Sequence, residues 1–187
     1  HQAAEAFSAE TGAFYVPAYD DAEVIAGQGT VALEIFSDLP ETDLLIVPVG
    51  GGGLIAGISL VARAITPHCQ VIGTQPTASP AALFSLRDGH AYDPYDHQPT
   101  IADGLAGGFG AVPYALAGSL IDEIRLASET DIRSAVYTLL DRHQLVVEPS
   151  GAIAISPLLD GTLDVQGQKV VCVLTGSNIE TSLLNQI

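Results

Sequence analysis

Apolar and polar residues along this chain fall into blocks whose period changes, and the changes mark its elements. Residues 44–49 are an unbroken apolar run, the pattern of a strand buried on both faces. Residues 54–65 carry apolar side chains at helical spacing and stop short of Pro67, 71–74 read as the next strand, and 80–88 read as a helix. Residues 120–126 read as a strand, and Ser128 with Asp131 forms a capping-box-like start for a helix running to about Arg142. Residues 150–159 read as a helix, 170–174 as a strand and 179–186 as a closing helix. Toward the start, residues 2–11 read as a helix ended by Gly12 and residues 14–16 as a short strand. Residues 30–38 read as a helix entered from a Gly-Gln-Gly turn. Between 90 and 100 the Asp93-Pro94 and Gln98-Pro99 pairs punctuate a loop. Short apolar strands separated by helices predict an α/β fold, a parallel sheet with helices on both faces. No internal repeat or low-complexity segment interrupts it.

Between the first of these strands and its helix stand four consecutive glycines, Gly50, Gly51, Gly52 and Gly53, followed by Leu54. Without side chains, several backbone N–H groups can turn toward one point, and the start of the helix adds the positive end of its dipole. Together these make an anion cradle, most often for phosphate. The bland alternative is a tight strand-to-helix turn, for which two glycines would suffice. A dinucleotide site expects an acidic residue at the end of the following strand, where this chain has Gln75-Pro76, and no Gly-Lys-Ser/Thr follows the glycines as a nucleoside triphosphate loop would require. A compact monophosphate fits better.

The run from Val47 to Gly57 resembles the phosphate loop of the fold type II pyridoxal-phosphate enzymes, the threonine dehydratase and serine racemase group. Residues 22–34 resemble the segment that precedes that loop, and Thr100-Ile101-Ala102-Asp103-Gly104-Leu105-Ala106 resembles the family's loop near the cofactor. Val147-Glu148-Pro149-Ser150-Gly151-Ala152 and Val173-Leu174-Thr175-Gly176-Ser177-Asn178 resemble two further motifs. Five motifs in family order cover nearly the whole chain. The resemblance implies pyridoxal 5′-phosphate as cofactor, with its phosphate on Gly50, Gly51, Gly52, Gly53 and Leu54. It places Gly104 close to the ring, Glu148 beside it, and the Thr175 hydroxyl at the ring nitrogen. A neutral hydroxyl does not force that nitrogen to be protonated, which gives a weaker electron sink suited to eliminating a β-hydroxyl. Without the resemblance, Thr175 could equally cap the turn at 175–178.

The resemblance also implies features that are missing. The family's Schiff-base lysine, in a Ser-Phe-Lys-x-Arg-Gly-Ala motif, and its Gly-Asn-His loop do not occur here. The single lysine, Lys169, precedes an apolar run and reads as the exposed start of a strand, where a Schiff-base lysine requires a desolvated position. No catalytic residue is therefore expected within this chain. The expectation is one domain over residues 1–187, a C-terminal portion of the large cofactor-binding domain that is inactive alone, with the lysine supplied from upstream or by a second chain. Many relatives bind a cation through a glutamate and an aspartate at positions that are Gln75 and Ala81 here; no metal site is expected.

Composition narrows the partners. Six Lys and Arg against 22 Asp and Glu leave a formal net charge of −16. Such a surface repels nucleic acid and anionic membranes. It suits a high-salt cytoplasm, or a larger protein whose remainder carries positive charge. No apolar run approaches the roughly 20 residues that span a bilayer. Cys69 and Cys172 lie far apart, as in a reducing compartment, and the five histidines, His1 among them, show no metal-ligand spacing. The expected function is a cytoplasmic threonine or serine dehydratase, a homo-oligomer acting on a small hydroxy amino acid and releasing a 2-oxo acid and ammonia. The alternatives are a serine or hydroxyaspartate racemase of the same family and a non-catalytic phosphate-binding fragment.

Overall fold

The computed structural model describes residues 2–187, so His1 lies outside the described residues. Four strands, β1 (Leu44–Pro48), β2 (Gln70–Pro76), β3 (Glu123–Ala127) and β4 (Val170–Cys172), form one sheet in the order β3-β2-β1-β4. Every neighbouring pair is parallel. The helices are α1 (Gln2–Thr11), α2 (Ala22–Asp38), α3 (Gly53–Ile65), α4 (Ala81–Asp88), α5 (Ala111–Ala117), α6 (Glu129–His143), α7 (Pro149–Ala152), α8 (Ser156–Leu159) and α9 (Thr181–Leu184).

The pleat of β1 sorts its side chains to two cores. Leu45 and Val47 pack with Val71 against Phe36 of α2 and Ile55 and Ile58 of α3. Leu44 and Ile46 point the other way, with Ile72, onto Ala154 and Leu158. Both faces of the strand are therefore covered, which is why its sequence is apolar throughout. Each fully buried Leu or Ile stabilises the fold by about 1.5–3 kcal/mol through removal from water. Behind the second face, α6 packs Ile132 against Ile153 and Ala127. Ser128 and Asp131 form the expected capping box at its start.

Several elements depart from the sequence expectation. The Gly-Gln-Gly segment is not a turn but lies inside α2, which begins at Ala22 behind the Asp21 side-chain cap. Gly29 stays helical because α3 passes directly over it at Gly57, and a methyl group at Gly57 would strike the α2 backbone. Residues 14–16 form no strand. The third strand starts at Glu123 rather than at residue 120, and α5 was not foreseen. The helix expected over 150–159 breaks into α7, a 3₁₀ turn (Ile153–Ile155) and α8, with Pro157 in the first turn of α8. The closing helix shortens to four residues.

Strand order positions the site. From β1 the chain crosses to β2 and then β3 on one side, whereas β4 lies on the other side of β1. A crevice opens at the carboxyl ends of a parallel sheet where the connections part in this way.

Candidate functional site

At that point β1 gives way to the glycine loop. Val49 extends the ladder by donating its N–H to the Thr74 carbonyl at 2.9 Å. The chain then turns through Gly50, Gly51 and Gly52 into α3. Gly52 has φ 97° and ψ −6°, a left-handed conformation that disfavours any Cβ, and a Cβ there would also run into the Phe109 ring. At Gly51 the Tyr19 ring occupies the space a Cβ would need. From behind, the Gly110 N–H donates to the Gly51 carbonyl at 3.0 Å. The loop is fixed on both sides.

What the loop leaves unused defines its chemistry. Among the described residues, the backbone N–H groups of Gly50, Gly51, Gly52, Gly53 and Leu54 have no acceptor. They sit at the start of α3, a helix of 13 residues whose dipole presents its positive end there. Two further loops converge on them. The Gly104 carbonyl stands beside Gly50, and the Gly104 N–H donates to Ser150 Oγ at 3.0 Å. Beyond β4, Val173 donates to the Ile46 carbonyl at 2.9 Å, which carries Thr175 alongside the end of β1. Gly151 allows this approach, since a Cβ there would stand 3.0 Å from Thr175 Oγ1. The Thr175 hydroxyl makes no hydrogen bond among the described residues, so the turn-cap alternative finds no support.

The result is one cavity of about 290 Å³ lined by Gly50, Gly51, Gly52, Gly53, Leu54, Gly104 and Thr175, together with Pro48, Ala18, Tyr19, Gln28 and Leu105. None of these five was a site candidate from the sequence, and Ala18 and Tyr19 lie outside its motifs altogether. Tyr19 closes one wall and donates its hydroxyl to Asp93 at 3.0 Å. Burial and that hydrogen bond push the Tyr19 phenol up to about 12, so it stays protonated at neutral pH. The lining holds no Lys or Arg, so attraction for an anion comes from N–H groups and the helix dipole.

Glu148 is set apart. It lines a neighbouring hollow with Asp103, Asn178 and Glu180 rather than the glycine-lined cavity. Its N–H donates to the Gly176 carbonyl at 2.9 Å and its carboxylate accepts from the Asn178 N–H at 2.9 Å. It therefore braces the 175–178 loop. Lys169 stands at the opposite end of the sheet, where it pairs with Glu41 and its N–H donates to Asp43. Six residues of strand, roughly 20 Å at about 3.3 Å each, separate that end from Gly50. A wider groove of about 500 Å³ lies beside α6, but none of the loops named above reaches it.

These features fit the phosphate of pyridoxal phosphate: unpaired N–H groups, a side-chain-free floor, and a neutral hydroxyl in the same cavity. The comparisons agree. A family model described as "Pyridoxal-phosphate dependent enzyme" matches residues 1–176. The L-threonine ammonia-lyase of Thermotoga maritima is 39% identical, aligned over 100% of this chain and 46% of its own length. The catabolic L-threonine dehydratase of Escherichia coli is 41% identical over 94% of this chain and 54% of its own. A crystal structure of serine racemase from Dictyostelium discoideum superposes with a TM-score of 0.87 at 27% identity, over 96% of this chain and 58% of that one. The chain thus spans about half the length of the curated relatives it matches.

Proposed function

This chain belongs to the pyridoxal-phosphate dependent enzyme family, and from that premise we propose that it forms the phosphate- and ring-nitrogen-binding part of a threonine or serine ammonia-lyase. The observation that carries the reading is the set of five unpaired N–H groups, from Gly50 to Leu54, in a cavity that also holds the Thr175 hydroxyl. Identities of 39% and 41% to threonine lyases support the choice of reaction.

Bound in this cavity, the cofactor would supply an electron sink that lets a hydroxy amino acid lose its α-proton and its β-hydroxyl. The N–H groups and the α3 dipole would hold the phosphate dianion without a cationic side chain. Thr175 Oγ1, with no partner among the described residues, would be the hydroxyl offered to the ring nitrogen, and a neutral hydroxyl would not force that nitrogen to be protonated. Gly104 admits Ser150 against its backbone and so sets its own carbonyl beside Gly50, while Leu105 and Tyr19 would keep water off the cradle. Tyr19, protonated and committed to Asp93, removes no proton from the substrate. Glu148 acts through the Thr175 loop by holding the Asn178 N–H. Lys169 faces away from the cavity, so the amine that carries the cofactor's aldehyde comes from outside this sequence. The chain by itself therefore binds the phosphate end and turns over no threonine.

Calorimetric titration with pyridoxal phosphate, with inorganic phosphate as competitor, tests the binding half of the reading. Incubation of the complete enzyme with L-threonine and L-serine tests the reaction. The expected outcome is competitive binding, with release of a 2-oxo acid and ammonia. Absence of pyridoxal phosphate uptake refutes the reading. Loss of serine's optical activity without ammonia moves it to a racemase.

A further inference from the structure

Gln75 is a neutral polar residue with 0% exposure at the carboxyl end of β2. It does not line the cavity, yet both polar atoms of its carboxamide are engaged. Oε1 accepts from the N–H groups of Ala82 at 3.0 Å and Leu83 at 3.3 Å, in the first turn of α4. Nε2 donates to the Val49 carbonyl at 3.3 Å. We infer that the Gln75 carboxamide is a positioning residue that orients the first donor of the phosphate cradle.

The argument runs through one peptide plane. The Val49 carbonyl and the Gly50 N–H belong to the same trans peptide, so they point in opposite directions. Holding that carbonyl on Gln75 turns the Gly50 N–H away from Gln75. The Val49 N–H is already held by Thr74. As a glycine, Gly50 imposes little preference on its own backbone. Gln75 supplies the missing restraint from α4, an element that otherwise has no part in the site. Pro80, at the N-cap of α4, offers no side-chain cap, so the same amide caps that helix from outside.

The inference rests on the glycine loop being a phosphate cradle, and the test separates the two. Gln75→Met keeps the side-chain length and loses every hydrogen bond. Gln75→Glu keeps the acceptor for Ala82 and Leu83 but sets a second oxygen against the Val49 carbonyl. Ionised, that oxygen repels the carbonyl; protonated, it donates as the amide does. Affinities for pyridoxal phosphate and for inorganic phosphate are measured by calorimetry from pH 6 to 9.5, with melting temperatures taken on the same samples. Dividing variant by wild-type affinity at each pH cancels the ligand's own titration. The expected result is binding about three- to tenfold weaker for Gln75→Met at every pH, the effect of one lost hydrogen bond. The Gln75→Glu ratio should fall as pH rises, and the Gly50 amide resonance should shift with it. If both variants bind within twofold of wild type across the range, with only the melting temperature lowered, Gln75 is structural and the inference fails. If the wild-type protein binds neither probe, the cradle reading fails and carries the inference with it.

Discussion

The two ends of this sheet are built from the same four strands and use opposite chemistry. At the amino end, charged groups close off the backbone: the Asp43 side chain accepts the Lys169 N–H at 2.8 Å, and Asp122 accepts the Val71 N–H at 2.7 Å. Salt bridges join Lys169 to Glu41 and Arg63 to Asp122. At the carboxyl end, among the described residues, the cavity has no charged side chain in its lining and a run of N–H groups is left without partners. At the charged end these backbone donors are already taken. The neutral end keeps donors in reserve, and a capacity to bind comes from what folding leaves unspent.

Breaking the neutral end should have the largest effect. Gly51→Asp puts a side chain into the Tyr19 ring and a carboxylate beside the phosphate. Overpacking alone costs about 1–3 kcal/mol; with the added repulsion, affinity for pyridoxal phosphate should fall on the order of a hundredfold or more. Unchanged affinity in a titration would mean that the glycines are only a turn. A smaller effect is expected at Thr175, whose hydroxyl has no protein partner. Thr175→Val should cost about 1–3 kcal/mol in cofactor affinity or activation barrier, while Thr175→Ser stays near wild type. Because Thr175 is exposed, the melting temperature should hardly move; a fall in stability with unchanged cofactor affinity would return the residue to a structural role. The smallest effect belongs to the charged end. Lys169→Met removes an exposed pair worth about 0–1 kcal/mol. It should leave cofactor affinity untouched, and a clear loss would erase the contrast between the two ends.

Much of this contrast was legible in the sequence, and the parts that were not share a cause. The β1–glycine–α3 unit and the run into Thr175 are local: apolar residues, then glycines, then helical spacing within a few residues. The Ser128–Asp131 box is local as well. Tyr19, by contrast, reaches the loop from some thirty residues upstream, and nothing in its own segment shows that Gly51 will lie beneath its ring. Gly29 resembles a turn residue until Gly57 is packed against it. Gln75 reads as a missing carboxylate in the sequence and becomes a three-bond brace only when β1, β2 and α4 are placed together. Glu148 belongs to a motif in line, yet it opens into the neighbouring hollow because α7 turns its side chain toward Asn178.

The uncharged lining of the cavity also has a kinetic consequence. A dianionic ligand approaching this chain meets the field of a molecule with formal net charge −16, which slows encounter until salt screens it. Once inside, the ligand would be held by short-range N–H groups and a helix end. Raising ionic strength should therefore quicken association. Sites that hold phosphate with lysine and arginine behave the other way, weakening as salt is added.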